Sequence, residues 1–262
     1  MQQSMKLYVT GYINKFLIEL TNMNKPLVVI TGASSGIGEA IAKRFSEAGY
    51  PLLLLARRLE RLQALSLPNC ICAKVDVTDR AAFADAIKDA EKKYGPVDCL
   101  INNAGVMLLG QIDVQNADEW QQMYDLNVVA LLNGMQLVLG AMKARKGGTI
   151  FNVSSIAGRK TFPNHAAYCG TKFAVHAISE NVREEVASHN VRIITVAPGA
   201  VETELLSHTT SSEIKAGYES WKDNMVGVIN PDDIARPVLF AYQQPQNVCI
   251  REIVIAATRQ EP

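Results

Sequence analysis

The run Leu27-Val28-Val29-Ile30-Thr31 leads without a break into Gly32-Ala33-Ser34-Ser35-Gly36-Ile37-Gly38. Four apolar residues and a threonine in a row suit a strand buried on both faces. The glycines that follow permit a tight turn and a close backbone approach, and Ala40, Ile41 and Phe45 beyond them recur at helical core spacing. Strand, glycine loop and helix N-terminus together make a phosphate cradle, because free N–H groups and the helix dipole face an anion there. The G-x-x-x-G-x-G string takes its weight from that context, and no G-x-x-x-x-G-K-[ST] string occurs to indicate a nucleoside triphosphatase.

From this unit to the C-terminus, short apolar runs alternate with longer helical stretches. Strands are expected at 27–31, 51–56, 71–75, 99–102, 149–153, 192–196 and 250–255, and helices at 36–48, 58–66, 79–94, 117–144, 165–188 and 231–242. The alternation predicts an α/β fold, a Rossmann-like, doubly wound three-layer sandwich with a seven-stranded parallel sheet. Asn230-Pro231-Asp232-Asp233 reads as a helix start. Lys143, Arg145 and Lys146 before Gly147-Gly148 read as a basic helix end, with a phosphate patch as the rival reading. Segment 203–229 has no clear period and is too long for a plain connection, so a lid or binding loop is expected.

No repeat or linker divides the chain, which predicts a single domain over 25–262. Residues 1–24 read as an N-terminal extension outside that fold, with Met23 as the natural start. The rival is a short amphipathic helix carrying Tyr12, Phe16 and Leu20.

Composition narrows the function. The 262 residues are 48% hydrophobic and 20% charged, and 26 Lys+Arg cancel 26 Asp+Glu, so no global field draws nucleic acid or an anionic membrane. No apolar run approaches the roughly 20 residues of a spanning helix. Five cysteines form no C-x-x-C pair, which points to free thiols in a reducing cytoplasm. Four histidines show no ligand spacing, so no metal is expected. A small-molecule ligand fits best.

The end of the second strand reads Leu54-Leu55-Ala56-Arg57-Arg58. An acid that would take a ribose 2′-OH is missing there, and two guanidinium groups suit a 2′-phosphate instead, which favours NADPH/NADP+ over NAD. The rival reading makes Arg57 and Arg58 solvent-facing residues that start the next helix.

Tyr168-Cys169-Gly170-Thr171-Lys172 gives Y-x-x-x-K inside an expected helix, so phenol and ammonium share a face. A phenol titrates near ~10, too high for ready proton exchange at neutral pH. A lysine charge about 4 Å away favours the phenolate by ~4 kcal/mol at an effective dielectric near 20, before burial opposes it. The expectation is an acid/base poised nearer neutrality.

Thr31-Gly32-x-x-x-Gly36-x-Gly38, Asn102-Asn103-Ala104-Gly105, Asn127, Ser155, Tyr168-x-x-x-Lys172 and Pro198-Gly199 with Thr203 stand in the order and spacing of the short-chain dehydrogenase/reductase family, which the chain resembles over essentially all of 25–262. Within the family it is similar to NADPH-binding blue-fluorescent members and to 3-hydroxy acid dehydrogenases.

The resemblance implies an NADPH-dependent oxidoreductase that moves hydride between the nicotinamide and a small ketone, aldehyde or hydroxy compound. Tyr168 becomes the general acid/base, Ser155 orients the same substrate oxygen, Lys172 lowers the tyrosine pKa and holds the nicotinamide ribose, and Asn127 anchors a water relay. Gly32, Ser34, Ser35, Gly36, Ile37 and Gly38 match the pyrophosphate loop, Asp76 and Val77 the adenine contact, and Asn103, Ala104 and Gly105 the adenosine ribose segment. Pro198, Gly199, Val201 and Thr203 match the carboxamide stretch. The alternative function is a protein that binds NADPH and brightens its fluorescence with little turnover.

Several neighbours have two readings. Ser154 rivals Ser155, and alternation at the strand end favours Ser155. His165 is a helix-start polar residue or a substrate contact, and Cys169 packs by default. In the 203–229 segment, Leu205, Leu206, Tyr218, Trp221 and Met225 imply a partly apolar wall, while Lys215 or Lys222 could meet a carboxylate. The family also implies a homodimer or homotetramer. The stripe Leu131, Leu132, Leu137, Val138 and Leu139 serves either that interface or the chain's own core.

Overall fold

The computed structural model describes residues 25–225 and 227–260; the expectations for residues 1–24 lie outside them. In chain order the elements are β1 (Leu27–Thr31), α1 (Gly36–Glu47), β2 (Leu52–Ala56), α2 (Leu59–Ala64), β3 (Cys70–Lys74), α3 (Arg80–Tyr94) and β4 (Val97–Asn102). There follow α4 (Ala117–Tyr124), a π-helical turn (Asp125–Val129), α5 (Ala130–Arg145), β5 (Thr149–Val153), α6 (Ala166–Val186), β6 (Arg192–Pro198), α7 (Ser212–Asn224), α8 (Pro231–Tyr242) and β7 (Glu252–Ile255).

The strands form one parallel sheet in the order β3-β2-β1-β4-β5-β6-β7. Alternation sends successive side chains to opposite faces. Leu27, Val29, Leu53, Leu55, Leu100 and Ile150 join Phe83, Met135 and Val175 in the core beneath α3, α5 and α6. Val28, Ile30, Leu52, Leu54, Ile101 and Phe151 join Ile41, Phe45, Ile234 and Val238 beneath α1 and α8. This is the expected doubly wound sandwich. The edge strands differ from the continuous apolar reading: β3 is half-buried and β7 alternates, because each is an outer strand of the sheet.

Polar side chains tie the sandwich together. Asn102 donates to Asn152 at 2.9 Å and Asn152 to Ser179 at 2.9 Å, tying β4, β5 and α6 together. Arg192, buried in β6, donates to the carbonyls of Tyr242 and Gln244 at 2.8 and 2.9 Å and so closes the end of α8. The Asn230 start of α8 is a capping box with Asp233. The Lys143–Lys146 cluster is a helix end: Lys146 takes the left-handed C-cap conformation at φ 54°, and Arg145 reaches the Val97 carbonyl.

Two helical expectations change. The helix expected over 117–144 carries the π-helical turn within it, and 203–229 contains α7. By length and composition alone the helical stretch Ala117–Arg145 is long and apolar enough to cross a membrane, unlike the reading that no apolar run comes near that length. Its Leu131, Met135, Val138 and Met142 are buried against the sheet, which makes it a core helix.

Candidate active site

The carboxyl ends of the strands open on one cleft of about 1960 Å³. β1 and β4 are neighbours in the sheet although β2 and β3 separate them in sequence, so the chain reverses direction across the sheet at this point and leaves a crevice. Thr31 fixes its floor: its hydroxyl accepts from the backbone N–H of Asn103 and Ala104 at 2.9 and 3.0 Å. The Asn103 amide in turn donates to the Thr31 and Gly32 carbonyls at 2.9 and 3.2 Å. Asn103 thus locks the end of β4 to the glycine loop.

Gly32 and Gly36 hold φ of 65° and 56°, where a side chain is strained. A Cβ on Gly32 would stand 2.8 Å from the Ala104 Cα. Gly38 does not reach the cleft; a Cβ there would meet the Gly32 carbonyl oxygen at 2.4 Å, so this glycine lets α1 close on the loop. Ser35 at the N-cap makes no side-chain capping bond, leaving the first N–H groups of α1 open toward the cleft. Ser34, Ser35 and Ile37 line it beside them.

At the end of β2, Arg58 donates to the Ser35 hydroxyl at 2.9 Å, to the Ser34 hydroxyl at 3.3 Å and to Glu204 Oε2 at 2.9 Å. Arg61 takes the other Glu204 oxygen at 2.6 Å. The two guanidinium groups hold the Glu204 carboxyl well below the usual range, at about 2. Arg57 also lines the cleft, and its charge helps lower the pKa of Asp76, whose Oδ1 accepts from the Thr78 N–H and hydroxyl at 3.0 and 2.7 Å. This donor set, with open helix N–H groups beside guanidinium and serine hydroxyls, fits a dinucleotide bearing a further phosphate.

Val77, Ala104, Gly105, Pro198, Gly199, Val201 and Thr203 line the same cleft. Thr203 packs on the glycine loop, 3.0 Å from where a Cβ of Gly36 would lie. Gln260 completes this end: its Oε1 accepts from the Ala200 N–H at 2.9 Å, and its buried Nε2 has no partner among the described residues. Nothing in the sequence around Gln260 marked it, since the contact joins segments 60 residues apart.

The buried Tyr168 phenol stands with Ser155 and Lys172 below the cofactor end. Ser155 draws its pKa down, but burial outweighs this and holds the phenol well above its ordinary range. Lys172 Nζ lies 5.7 Å from the Tyr168 ring centroid and donates to the Val153 carbonyl at 3.0 Å. Burial brings its own pKa down to about 8. The phenol is therefore not poised near neutrality as expected: burial raises the pKa of Tyr168 and lowers that of Lys172. Ser154 is occupied elsewhere, donating to the Lys172 carbonyl at 3.0 Å and lying 2.9 Å from His176 Nδ1.

Asn127 lies behind the cleft in the π-helical turn. Its amide accepts from the Val106 N–H at 2.9 Å and donates to the Val106 carbonyl at 2.9 Å and to Thr171 at 3.2 Å. A π turn shifts main-chain hydrogen bonding by one residue and recurs at functional sites. The residues 125–129 carry no glycine or proline to announce it.

The 203–229 segment leaves and rejoins the domain through a bridge between Val201 and Ile229. Leu205, Leu206, Ile214 and Tyr218 pack with Met107, Leu109 and Tyr168 over the site. Ile214, Tyr218 and Trp221 are spaced i, i+4, i+7, and that period would have revealed α7. Met225 and Lys215 do not line the cleft; Lys222 does, clamped by Glu219 and Glu202 at 2.9 and 3.2 Å. His165 begins α6 without a capping bond and faces Tyr168 and Tyr218 at ring distances of 6.2 and 6.3 Å. Cys169 packs away from the cleft.

The comparisons with known proteins agree with this geometry. A family model described as short chain dehydrogenase matches residues 26–214. An uncharacterized oxidoreductase of Staphylococcus saprophyticus is 39% identical over 247 residues, spanning 92% of this chain and 99% of that protein. The closed form of serine dehydrogenase complexed with NADP+ superposes with a TM-score of 0.84 at 28% identity, covering 90% of this chain and 96% of that one. An alcohol dehydrogenase of the archaeon Thermococcus sibiricus complexed with 5-hydroxy-NADP superposes with a TM-score of 0.79 at 25% identity, covering 91% and 99%.

Proposed function

Because the chain belongs to the short chain dehydrogenase family of oxidoreductases, we propose that it is an NADPH-dependent reductase of small ketones or aldehydes, which also oxidises the corresponding hydroxy compounds. The observation that carries this reading is the grouping of Tyr168, Ser155 and Lys172 in a cleft whose far end presents Arg58 and an uncapped helix N-terminus. The NADP bound in the serine dehydrogenase and Thermococcus structures supports the same cofactor here.

Bound NADPH would supply a hydride to the carbonyl carbon. Gly32, Gly36, Ile37 and the serines 34 and 35 would hold its pyrophosphate, and Arg57 and Arg58 its 2′-phosphate. Asp76 and Val77 would take the adenine, Asn103, Ala104 and Gly105 its ribose, and Pro198, Gly199, Val201 and Thr203 the carboxamide. Tyr168 gives its phenol proton to the carbonyl oxygen; its raised pKa keeps that proton in place at neutral pH. Ser155 donates to the same oxygen. Lys172 stabilises the phenolate left behind, and Asn127 with its π-helical turn anchors the water path that returns a proton.

A second reading keeps the binding and drops the turnover: the apolar closure by Leu205, Leu206 and Tyr218 gives a water-poor setting that would brighten bound NADPH. The chain's resemblance to the bacterial NADPH-binding blue fluorescent protein is in keeping with it. A fluorescence titration with NADPH and NADH, followed by aldehydes and ketones, separates the two, since only a reductase loses the signal to a carbonyl compound.

The five free cysteines fit a cytoplasmic protein. For assembly, Leu131 and Val138 of the apolar stripe are taken by the chain's own core, whereas Tyr124, Val129, Leu132 and Phe173 remain exposed on α4 to α6 and supply the homo-oligomer face.

A further inference from the structure

We infer that the substrate of this cleft is a carbonyl compound bearing a cationic, ammonium-type head group and not a carboxylate. The inference rests on the reductase reading and names its substrate class.

The wall around Tyr168 is built of rings. Phe162 and His165 lie 5.6 Å apart, His165 and Tyr218 6.3 Å, and Tyr218 and Trp221 5.1 Å, and all four line the cleft. Aromatic faces attract cations and repel anions. Phe162 already carries one such contact, with the Lys160 ammonium 5.4 Å from its centroid. One polar group among the rings is an acceptor. His165 Nδ1 lies 2.6 Å from the Pro163 carbonyl and so carries the proton, which leaves Nε2 a lone pair. Burial lowers the pKa of that imidazole. Glu213 and Asp118 are among the residues that line the same cleft.

The Lys160 ammonium stands over Phe162, but Lys160 does not line the cleft. Lys222 is shared by two glutamates, and Lys215 does not reach the cleft. Arg57 and Arg58 belong to the cofactor end, and Lys172 sits behind Tyr168 on the Val153 carbonyl. A substrate carboxylate would therefore lose its water to rings, lone pairs and like charges. An alkylammonium group would find π-faces and carboxylates instead.

Three aldehydes of similar size test this: trimethylammonioacetaldehyde, its neutral isostere 3,3-dimethylbutanal, and succinic semialdehyde. With NADPH saturating, kcat/KM is expected to be about ten-fold higher for the cation than for the neutral isostere, and lowest for the carboxylate. Trp221→Leu and Glu213→Gln should each lower kcat/KM several-fold more for the cation than for the neutral compound. A neutral compound or carboxylate used as well as the cation overturns the inference. If NADPH binds and no aldehyde is reduced, it is the reductase reading that fails. The charge preference is then decided by calorimetric binding of the three corresponding alcohols to the NADP+ complex, where tighter binding of the cation upholds it and equal or weaker binding overturns it.

Discussion

Arg58 and Glu204 are joined across 146 positions of sequence by a 2.9 Å ion pair that places the start of the 203–229 segment against the arginine proposed to hold the 2′-phosphate. The same guanidinium reaches Ser35 and Ser34 of the glycine loop. A 2′-phosphate and the Glu204 carboxylate therefore compete for one cation.

Removing the competitor should strengthen NADPH binding. Glu204→Gln is expected to lower the Kd for NADPH about two- to five-fold, the range of a partly exposed pair, with no change for NADH. Arg58→Ala should raise the NADPH Kd about ten- to a hundred-fold, again sparing NADH. Parallel fluorescence titrations with the two nucleotides check both variants. Equal effects on NADPH and NADH would remove Arg58 from the 2′-phosphate.

Tyr168→Phe should bind NADPH as tightly as the parent and turn over about 10² to 10⁴-fold more slowly, the usual range for loss of a general acid. Ser155→Ala keeps the acid but loses the second donor to the oxygen, so a smaller fall is expected. Unchanged melting temperatures would show that both effects belong to the chemistry.

Lys172 makes the reaction sensitive to pH. Its folded pKa is lowered from 10.5 to about 8, so the charge that holds the ribose and phenolate disappears as pH rises through about 8. The kcat/KM for NADPH, which reports the free protein, should fall above that pH. Stability moves the other way. Between about 8 and 10.5 the unfolded chain binds the proton that the folded chain has lost, so stability rises with pH there, and below about 8 the cost of the buried charge is full. Lys172→Met should thus raise the melting temperature at pH 7 and abolish turnover.

Gly38→Ala should be a folding defect. Its Cβ would meet the Gly32 carbonyl oxygen at 2.4 Å and the Asn103 amide at 2.5 Å, both held by the β1–β4 lock. A loss of about 1 to 3 kcal/mol is expected, read as a lower denaturant midpoint.

The first strand and the loop after it were legible because local signals coincide there: an apolar run, glycines at the turn, and helical spacing in α1. Tyr168 and Lys172 were legible for a similar reason, as i, i+4 neighbours on one helix. What escaped is long-range or positional. The π-helical turn at Asn127 depends on the side chain reaching Val106, the Arg58–Glu204 pair joins two distant segments, and Gln260 acts through the turn at Ala200. The pKa of Tyr168 escaped as well, since spacing shows the lysine's proximity but not the burial that outweighs it. α7 hid because none of its residues is fully buried, although Ile214, Tyr218 and Trp221 keep a helical period.

The central claim, that Tyr168 protonates a carbonyl compound in an NADPH-loaded cleft, is tested most directly by adding aldehydes and ketones to the NADPH complexes of the parent protein and Tyr168→Phe and following NADPH oxidation. The account predicts tight NADPH binding by both, with rapid oxidation by the parent alone. Equal oxidation by the two proteins, or none by the parent with any compound, would contradict it.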